Sequence, residues 1–292
     1  MKRLIPLLFS LLLLFSLFSC SEKPAENENK PPRSPMGDDS LVTVLLDAGH
    51  GFGDVGCTSD YLGGLYEYQL TMDFTERLAH KLRSFGYNVI MTHDGEELPS
   101  TDEICKAADR LGVKYDPEKM SPDNNVFDAY ERAIYANVLC AENEIDFFLS
   151  IHVNANADTD TATGFEIDYC AENASSDMSV FAFDAICESL SDSYPERRLK
   201  KFADSFDMSF IVNKYTDMPS VLFETGFAST PSDAELLLDE SWRDALMDSV
   251  AAGLKAYFDL SESDDLRWSV KLVDKSTFMC YNMLNDNLYC CF

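Results

Sequence analysis

Apolar and polar positions follow one another along this chain in two alternating patterns, which predict strands and helices in turn. Compact runs of apolar and β-branched residues predict buried strands at 41–46, 87–91, 146–151, 164–169 and 220–224. Apolar side chains that recur every three or four residues predict helices at 70–85, 102–111, 127–141, 178–190 and 242–258. Strands that alternate with helices favour an α/β fold, in which helices flank both faces of a sheet.

The N-terminus has the pattern of an exported protein. Lys2 and Arg3 precede a mostly apolar run at 4–18, which is short for a membrane span and typical of a signal peptide over 1–19. The run ends in Leu-Phe-Ser-Cys20, which resembles a bacterial lipobox, so Cys20 is expected to carry a lipid. The alternative is an ordinary signal peptide with an incidental cysteine.

The rest of the chain divides by composition. Residues 20–40 are polar and rich in Pro, Asn, Glu and Lys, so they are expected to form a flexible tether. Residues 41–260 carry the alternating pattern of one folded domain, and 261–292 form a C-terminal extension whose role the sequence does not indicate. The expected location is outside a bacterial membrane, anchored by lipid and facing the cell wall from the periplasm or the extracellular side.

The net charge of the chain narrows the classes of molecule that it is expected to bind. Acidic residues outnumber basic ones by 51 to 23, and the formal net charge is −28. Such a chain repels phosphate backbones and anionic lipid, which argues against nucleic acid as a partner and leaves the lipid at Cys20 as the expected membrane attachment.

Eight of the nine cysteines remain after Cys20. Two interpretations are compatible with these eight cysteines: they form disulfide bonds, or they are small buried side chains.

Four chemically useful side chains are predicted to converge. His50 and His152 each follow a predicted strand, Glu224 closes another, and Glu67 opens the helix after the His50 loop. Ligands of open α/β sheets bind at the carboxyl ends of the strands, so these residues are expected at one edge. His80 lies in mid-helix and is expected at the surface.

Two imidazoles and a carboxylate, with one position left for water, form the ligand set of a catalytic zinc ion. Neutral imidazoles and one carboxylate leave the metal with net positive charge, which acidifies water. The alternative for each histidine is a hydrogen-bonded residue at the end of a buried strand. The residue types alone leave both interpretations open.

A series of short motifs over residues 41–258 is similar to the zinc-dependent N-acetylmuramoyl-L-alanine amidases of bacterial cell-wall turnover. The motifs keep the order and compatible spacing of that family. They are Asp47-Ala-Gly-His50-Gly with Asp54 and Gly56, Glu67 at a helix start, Gly86-Tyr-Asn-Val89, Arg132 with Ala136 and Asn137, Ser150-Ile-His152-Val-Asn-Ala155, Gly164-Phe-Glu166, and the stretch from Pro219 to Phe227.

The resemblance implies fold, cofactor and reaction. The fold would be a twisted, mainly parallel six-stranded sheet with helices on both faces, as in phosphorylase/hydrolase-like proteins. One Zn²⁺ per chain would be held by His50, Glu67 and His152, and Glu224 would be the catalytic base and then acid. The reaction would be zinc-dependent hydrolysis of the amide between N-acetylmuramic acid and L-alanine in peptidoglycan, for cell-wall turnover or daughter-cell separation.

Two other functions stay open at this point. One is a zinc peptidase that acts within the stem peptide, because the loops that choose the substrate are not resolved by sequence. The other is a non-catalytic lipoprotein that binds peptidoglycan. Degenerate relatives of enzymes usually lose metal ligands first, and the intact candidate ligands weigh against this second alternative. No pattern identifies a protein activator.

The chain departs from the family at three places. His93 stands where the family usually has arginine, and the resemblance gives it no role. Phe52 and Val55 replace the usual glycine and proline. The stretch 98–126 is longer than the usual connection and is expected at the surface near the catalytic edge, either as a lid or as a loop without a catalytic role.

Overall fold

A computed structural model describes residues 41–95, 97–122, 127–206 and 209–262. The predicted signal peptide at 1–19 and the tether at 20–40 with Cys20 lie outside the described residues, and so does most of the predicted extension at 261–292. Among the described helices, none is long and apolar enough to cross a membrane.

The core of the fold is a six-stranded sheet with the strand order β2-β1-β3-β6-β4-β5. Strands β1, β2, β3 and β6 run parallel, whereas β4 is antiparallel to β6 and parallel to β5. This strand order and these strand directions confirm the predicted α/β fold with a mainly parallel six-stranded sheet. Its strands are β1 (Thr43–Ala48), β2 (Asn88–Met91), β3 (Phe147–Asn154), β4 (Phe165–Cys170), β5 (Leu199–Asp204) and β6 (Ser220–Phe227).

Helices cover both faces of this sheet. Helices α1, α4 and α7 pack together on one face, and α3 and α5 cover the other. The helices are α1 (Glu67–Ser84), α2 (Thr101–Leu111), α3 (Ala129–Asn143), α4 (Ser176–Ser193), α5 (Ile211–Tyr215), α6 (Pro231–Leu238) and α7 (Glu240–Glu262), with a short 3₁₀ helix at Asp60–Leu62.

Both faces of the central strands are buried, which explains their continuous apolar runs. In β1 the side chains alternate between two cores: Val44 and Leu46 join the cluster under α1, α4 and α7, whereas Leu45 joins the cluster under α3. All six residues of β1 and all eight of β6 are buried. The register of such a strand is well defined, because a shift of one residue would move each of its side chains to the opposite face of the sheet and into the other core.

The strands that carry polar candidates are longer than predicted. Strand β3 continues to Asn154, so His152 lies inside its strand and not after it. Strand β6 continues to Phe227, so Glu224 lies inside its strand and does not end it. Polar side chains end an apolar run in the sequence, but the backbone ladder continues through them. Four of the described elements have no counterpart in the predicted set, namely β5, α5, α6 and the short 3₁₀ helix.

The insertion between β2 and α3 packs as a helix on the outer side of α3. Ser100 and Glu103 form a capping box that starts α2, because each side chain binds the backbone N–H of the other residue. Ile104 and Phe127 belong to the apolar cluster between α2 and α3, and Thr101 Oγ1 donates to Glu131 at 2.6 Å. The described part of the insertion is therefore a packed layer at the sheet's β2 side.

Within the described ranges, no disulfide joins the cysteines at 57, 105, 140, 170 and 187. Cys170 and Cys187 are fully buried. For these two residues, the interpretation as small buried side chains is the one that the structure supports.

A buried ion pair ties the centre of the sheet to α3. The Asp47 carboxylate at the end of β1 accepts from Arg132 at 2.9 Å, from Thr92 at 2.6 Å and from Ser150 at 2.7 Å. Asp47 is completely buried and Arg132 nearly so. Burial raises the pKa of Asp47, but the charge of Arg132 and the hydrogen bonds of Thr92 and Ser150 outweigh it and lower the pKa to about 2.

This ion pair predicts a defined acid sensitivity. The folded pKa of Asp47 lies below its ordinary value of 3.8, so its stabilisation is present above pH 3.8 and is lost as the pH falls towards 2. The difference corresponds to about 2 kcal/mol. Asp47→Asn should remove this pH dependence, and it should cost roughly 3–5 kcal/mol at neutral pH because it leaves the Arg132 charge buried and unpaired.

Chemical denaturation between pH 2 and pH 7 measures both effects. Thr92→Val is the graded comparison, because it removes one donor to the same carboxylate and should cost about 1 kcal/mol. Parallel stability–pH profiles for the wild type and Asp47→Asn would contradict this account.

Candidate metal centre

Three side chains predicted as metal ligands meet at the carboxyl edge of β1 and β3. His50 Nε2 lies 3.1 Å from Glu67 Oε1, and His152 Nδ1 lies 3.2 Å from the same oxygen. One donor atom from each residue falls within 4.8 Å of the others. The two imidazole rings stand at 82° with centroids 4.9 Å apart. Two nitrogens and one carboxylate oxygen in so small a volume fit the donor set and size of a zinc site.

Each ligand reaches this point from a different element. His50 follows β1 in a tight turn and has a left-handed backbone (φ 67°), a costly conformation for a residue with a side chain. Arg132 donates to the His50 carbonyl oxygen and to that of Ala48 at 2.8 Å, so the ion pair of the sheet centre also holds this turn. Glu67 is the first residue of α1, and His152 lies in β3.

Two glycines leave room for the ligands. A Cβ at Gly49 would lie 2.3 Å from Cε1 of His152, and a Cβ at Gly56 would lie 2.6 Å from Oε2 of Glu67 and 2.8 Å from Cδ2 of His50. Any larger residue at either position would push a ligand aside. The glycines of the Asp-x-Gly-His-Gly motif region therefore serve close packing as well as turn geometry.

Asp54 orients the first ligand. Its Oδ2 lies 2.8 Å from His50 Nδ1, while its Oδ1 accepts from the Gly56 N–H at 3.0 Å. A carboxylate on Nδ1 fixes the imidazole so that Nε2 faces Glu67, which is the usual arrangement behind a metal-bound histidine. Asp54 is part of the sequence motif, but its distance from His50 along the sequence does not indicate a role. The role becomes visible only in the folded turn.

Hydrogen bonds keep the Glu67 carboxylate ionised. It accepts from the backbone N–H groups of Cys57 at 2.7 Å and Val153 at 2.9 Å. Burial raises the pKa of Glu67, but hydrogen bonds to His152 and His50 and their charge outweigh it, and the pKa lies far below its usual range. Burial lowers the pKa of His50, but Glu67 and Asp54 outweigh it and raise the pKa to about 9. A divalent cation would displace that proton, because an imidazole binds metal in its neutral form.

Glu224 lies beside the cluster on the next strand. The register of β3 and β6 pairs His152 with Glu224, and the register of β4 and β6 pairs Glu166 with the same residue. Glu224 is 7% exposed, and its Oε2 has no hydrogen-bond partner in the described part of the chain. Burial, followed by the negative charges of Glu67 and Glu166, raises the pKa of Glu224 well above its ordinary range. A nearby metal would act in the opposite direction.

The other two histidines do not belong to this cluster. His80 is exposed on α1, as predicted. His93 is buried after β2, where its Nε2 lies 2.9 Å from the Ala48 carbonyl oxygen and its ring packs against Phe52. Burial and the positive charge of Arg132 lower the pKa of His93. His93 therefore supports the turn that carries His50.

Comparisons with known proteins agree with this fold. The family model described as N-acetylmuramoyl-L-alanine amidase matches residues 44–256. The uncharacterised protein YqiI of Bacillus subtilis is 28% identical over 220 residues, which cover 74% of this chain and 85% of YqiI. The probable cell wall amidase LytH of Staphylococcus epidermidis is 24% identical over 234 residues, which cover 80% of this chain and 64% of LytH.

A solved structure agrees as well. The crystal structure of N-acetylmuramoyl-L-alanine amidase from Clostridium difficile 630 has a TM-score of 0.57 and 25% identity, and the match covers 75% of this chain and 97% of that one. The family match spans the sheet from the second residue of β1 onward and includes His50, Glu67, His152 and Glu224. This chain belongs to the N-acetylmuramoyl-L-alanine amidase family.

Proposed function

We propose that this chain is a zinc-dependent N-acetylmuramoyl-L-alanine amidase. It hydrolyses the amide between the lactyl group of N-acetylmuramic acid and L-alanine of the peptidoglycan stem peptide. The observation that carries the proposal is the convergence of His50, Glu67 and His152, with the buried Glu224 on the neighbouring strand, in a chain of this family.

The site residues divide into a metal-holding group and a proton-transferring group. His50 Nε2, His152 Nδ1 and Glu67 would hold one zinc ion, and Asp54 would keep His50 in the required orientation. Zinc bound there would supply Lewis acidity, which favours deprotonation of water and polarises a carbonyl. Glu224 then needs only to accept and return a proton.

Glu224 is suited to that task by its position. Its unpartnered Oε2 is available to accept the proton of the attacking water. The same carboxyl then delivers the proton to the alanine nitrogen as the amide bond breaks. Burial excludes competing solvent and makes the protonated form accessible, so one side chain can serve as base and then as acid.

The function is tested by metal content and product analysis together. The full-length protein should contain one zinc per chain and release intact stem peptides from purified peptidoglycan. His152→Ala should lose both zinc and activity, since three protein ligands are the minimum for an open site. His80→Ala, an exposed histidine, is the matched control and should keep both.

Mass analysis of the products separates the alternatives. Peptides cut within the stem would identify a zinc peptidase, and binding without any product would identify a non-catalytic lipoprotein. Full zinc occupancy in His152→Ala would contradict the ligand assignment.

Glu224→Gln tests the proton transfer separately from metal binding. Glutamine keeps the shape of the side chain but cannot accept the proton, so turnover should fall by roughly 10²–10⁴-fold while zinc is retained. The control is Glu235→Gln on the exposed side of α6. Near-normal turnover would exclude Glu224 from the mechanism, and loss of zinc would make it a fourth ligand.

We also propose the cellular setting that the sequence predicts. The chain would be exported, cleaved before Cys20 and held by lipid on a membrane, where it faces the cell wall and acts in wall turnover or daughter-cell separation. The support is the N-terminal pattern and the polar residues 20–40, which separate the domain from the anchor.

Cys20→Ser tests the anchor. Buried acyl chains contribute about 0.8 kcal/mol per CH₂ group, so their loss should release the protein from the membrane fraction or leave the precursor uncleaved. Cell fractionation and metabolic labelling with a fatty acid give the answer, with the wild type as the reference. A correctly cleaved Cys20→Ser protein that stays in the membrane fraction would show that another anchor exists.

A further inference from the structure

The chain between His50 and Tyr68 exposes a group of large apolar and aromatic side chains. Their exposed fractions range from 36% to 47%. Soluble proteins seldom expose such side chains in a contiguous group without a binding role. The group consists of Val55, Tyr61, Leu65, Tyr66 and Tyr68.

This aromatic surface adjoins the metal ligands. Tyr66 and Tyr68 flank Glu67 directly, and their rings stack at 15° with centroids 6.3 Å apart. Val55 precedes Gly56, where an added Cβ would touch Glu67 and His50. This surface therefore lies next to the metal ligands.

The segment is held in place before any ligand binds. The Glu67 N–H donates to the Cys57 carbonyl at 3.3 Å, and the Tyr68 N–H donates to that of Val55 at 3.4 Å. Leu62, in the 3₁₀ helix, is fully buried and anchors the segment in the core. Exposed rings on an ordered backbone lose little conformational entropy on binding.

A recess of about 380 Å³ lies beside Tyr66. It is lined by hydroxyl groups and one carboxylate as well as by apolar side chains, so it offers hydrogen bonds next to a flat ring. The lining residues are Thr58, Ser59, Asp60, Gly64, Leu65 and Tyr66.

The charge around the surface selects among ligands. Asp60 lies in the recess, and Asp54 is half exposed at the adjoining turn. With the net charge of −28, these carboxylates repel anionic lipids and the free carboxylates of peptides. N-acetylated amino-sugar rings joined by glycosidic bonds are neutral, have apolar C–H faces that stack on tyrosine, and carry hydroxyl groups that suit the recess.

We propose that Tyr66, Tyr68 and the recess beside them form a glycan subsite, in which sugar rings of the peptidoglycan strand stack next to the metal centre. This inference rests on the proposed function, because it assumes that the substrate carries a glycan strand. The subsite holds the strand so that the lactyl amide of one sugar reaches Glu224.

Binding of a peptide-free sugar probe tests the subsite. The probe is a hexamer of β-1,4-linked N-acetylglucosamine, titrated calorimetrically into the full-length, zinc-loaded protein. The double variant Tyr66→Ala/Tyr68→Ala should weaken binding by about tenfold, whereas Tyr66→Phe/Tyr68→Phe should preserve it because the rings remain. Tyr66→Leu/Tyr68→Leu keeps apolar area without rings and should resemble the alanine variant.

The matched control is Phe85→Ala, which removes an aromatic side chain of 43% exposure at the other end of α1. It should bind the hexamer like the wild type. Zinc content and circular dichroism establish that each variant is folded. Equal binding by the alanine double variant and the wild type, or no binding by the wild type, would overturn the subsite.

Other occupants of the surface give different results. Loss of a dimer, or loss of binding to phosphatidylglycerol vesicles, in the alanine double variant with unchanged hexamer binding would overturn the glycan assignment. Tyrosine-dependent hexamer binding in a wild type that releases no stem peptide would support the glycan subsite and overturn the proposed amidase function. The experiments can therefore contradict the glycan subsite without contradicting the amidase function, and the reverse.

Discussion

The salt bridge between Arg132 and Asp47 is the interaction on which the site depends. Arg132 reaches from α3 across the end of β1 and donates to Asp47, to the Ala48 carbonyl and to the His50 carbonyl. One guanidinium thus neutralises the buried acid and holds the left-handed backbone of the first ligand. Such a pair contributes little to net stability compared with apolar packing, but it specifies one geometry. Here that geometry places His50 Nε2 opposite Glu67.

Much of the site was predictable because its residues sit where apolar runs end. His50, His152, Glu67 and Glu224 follow or open strongly patterned elements, and topology then brings them to one edge. The pattern was wrong about strand ends, since His152 and Glu224 lie within β3 and β6. The orienting role of Asp54 depends on the folded turn, which periodicity does not describe.

Strand β5 shows why periodicity missed part of the sheet. Its residues are half-buried or exposed, and within the described sheet its one neighbour is β4. An edge strand of this kind is stabilised by its ladder and by single contacts such as Lys200 with Glu166, not by an apolar run. The short helices α5 and α6 lack enough turns for a helical repeat to be recognised.

The reversed direction of β4 makes tolerance to insertion differ between the two sides of the catalytic edge. Because β4 starts where β3 ends, residues 155–164 stay at this edge, where Gly164 N–H donates to Asp233 at 3.0 Å and Asn156 N–H to Ser229 at 2.9 Å. Lengthening that connection would break bonds that also hold the start of α6. On the β2 side the part of the insertion that the structure describes packs against α3, outside these bonds. Insertions on the β2 side of this edge should therefore have little effect on stability, whether they arise in evolution or by protein engineering.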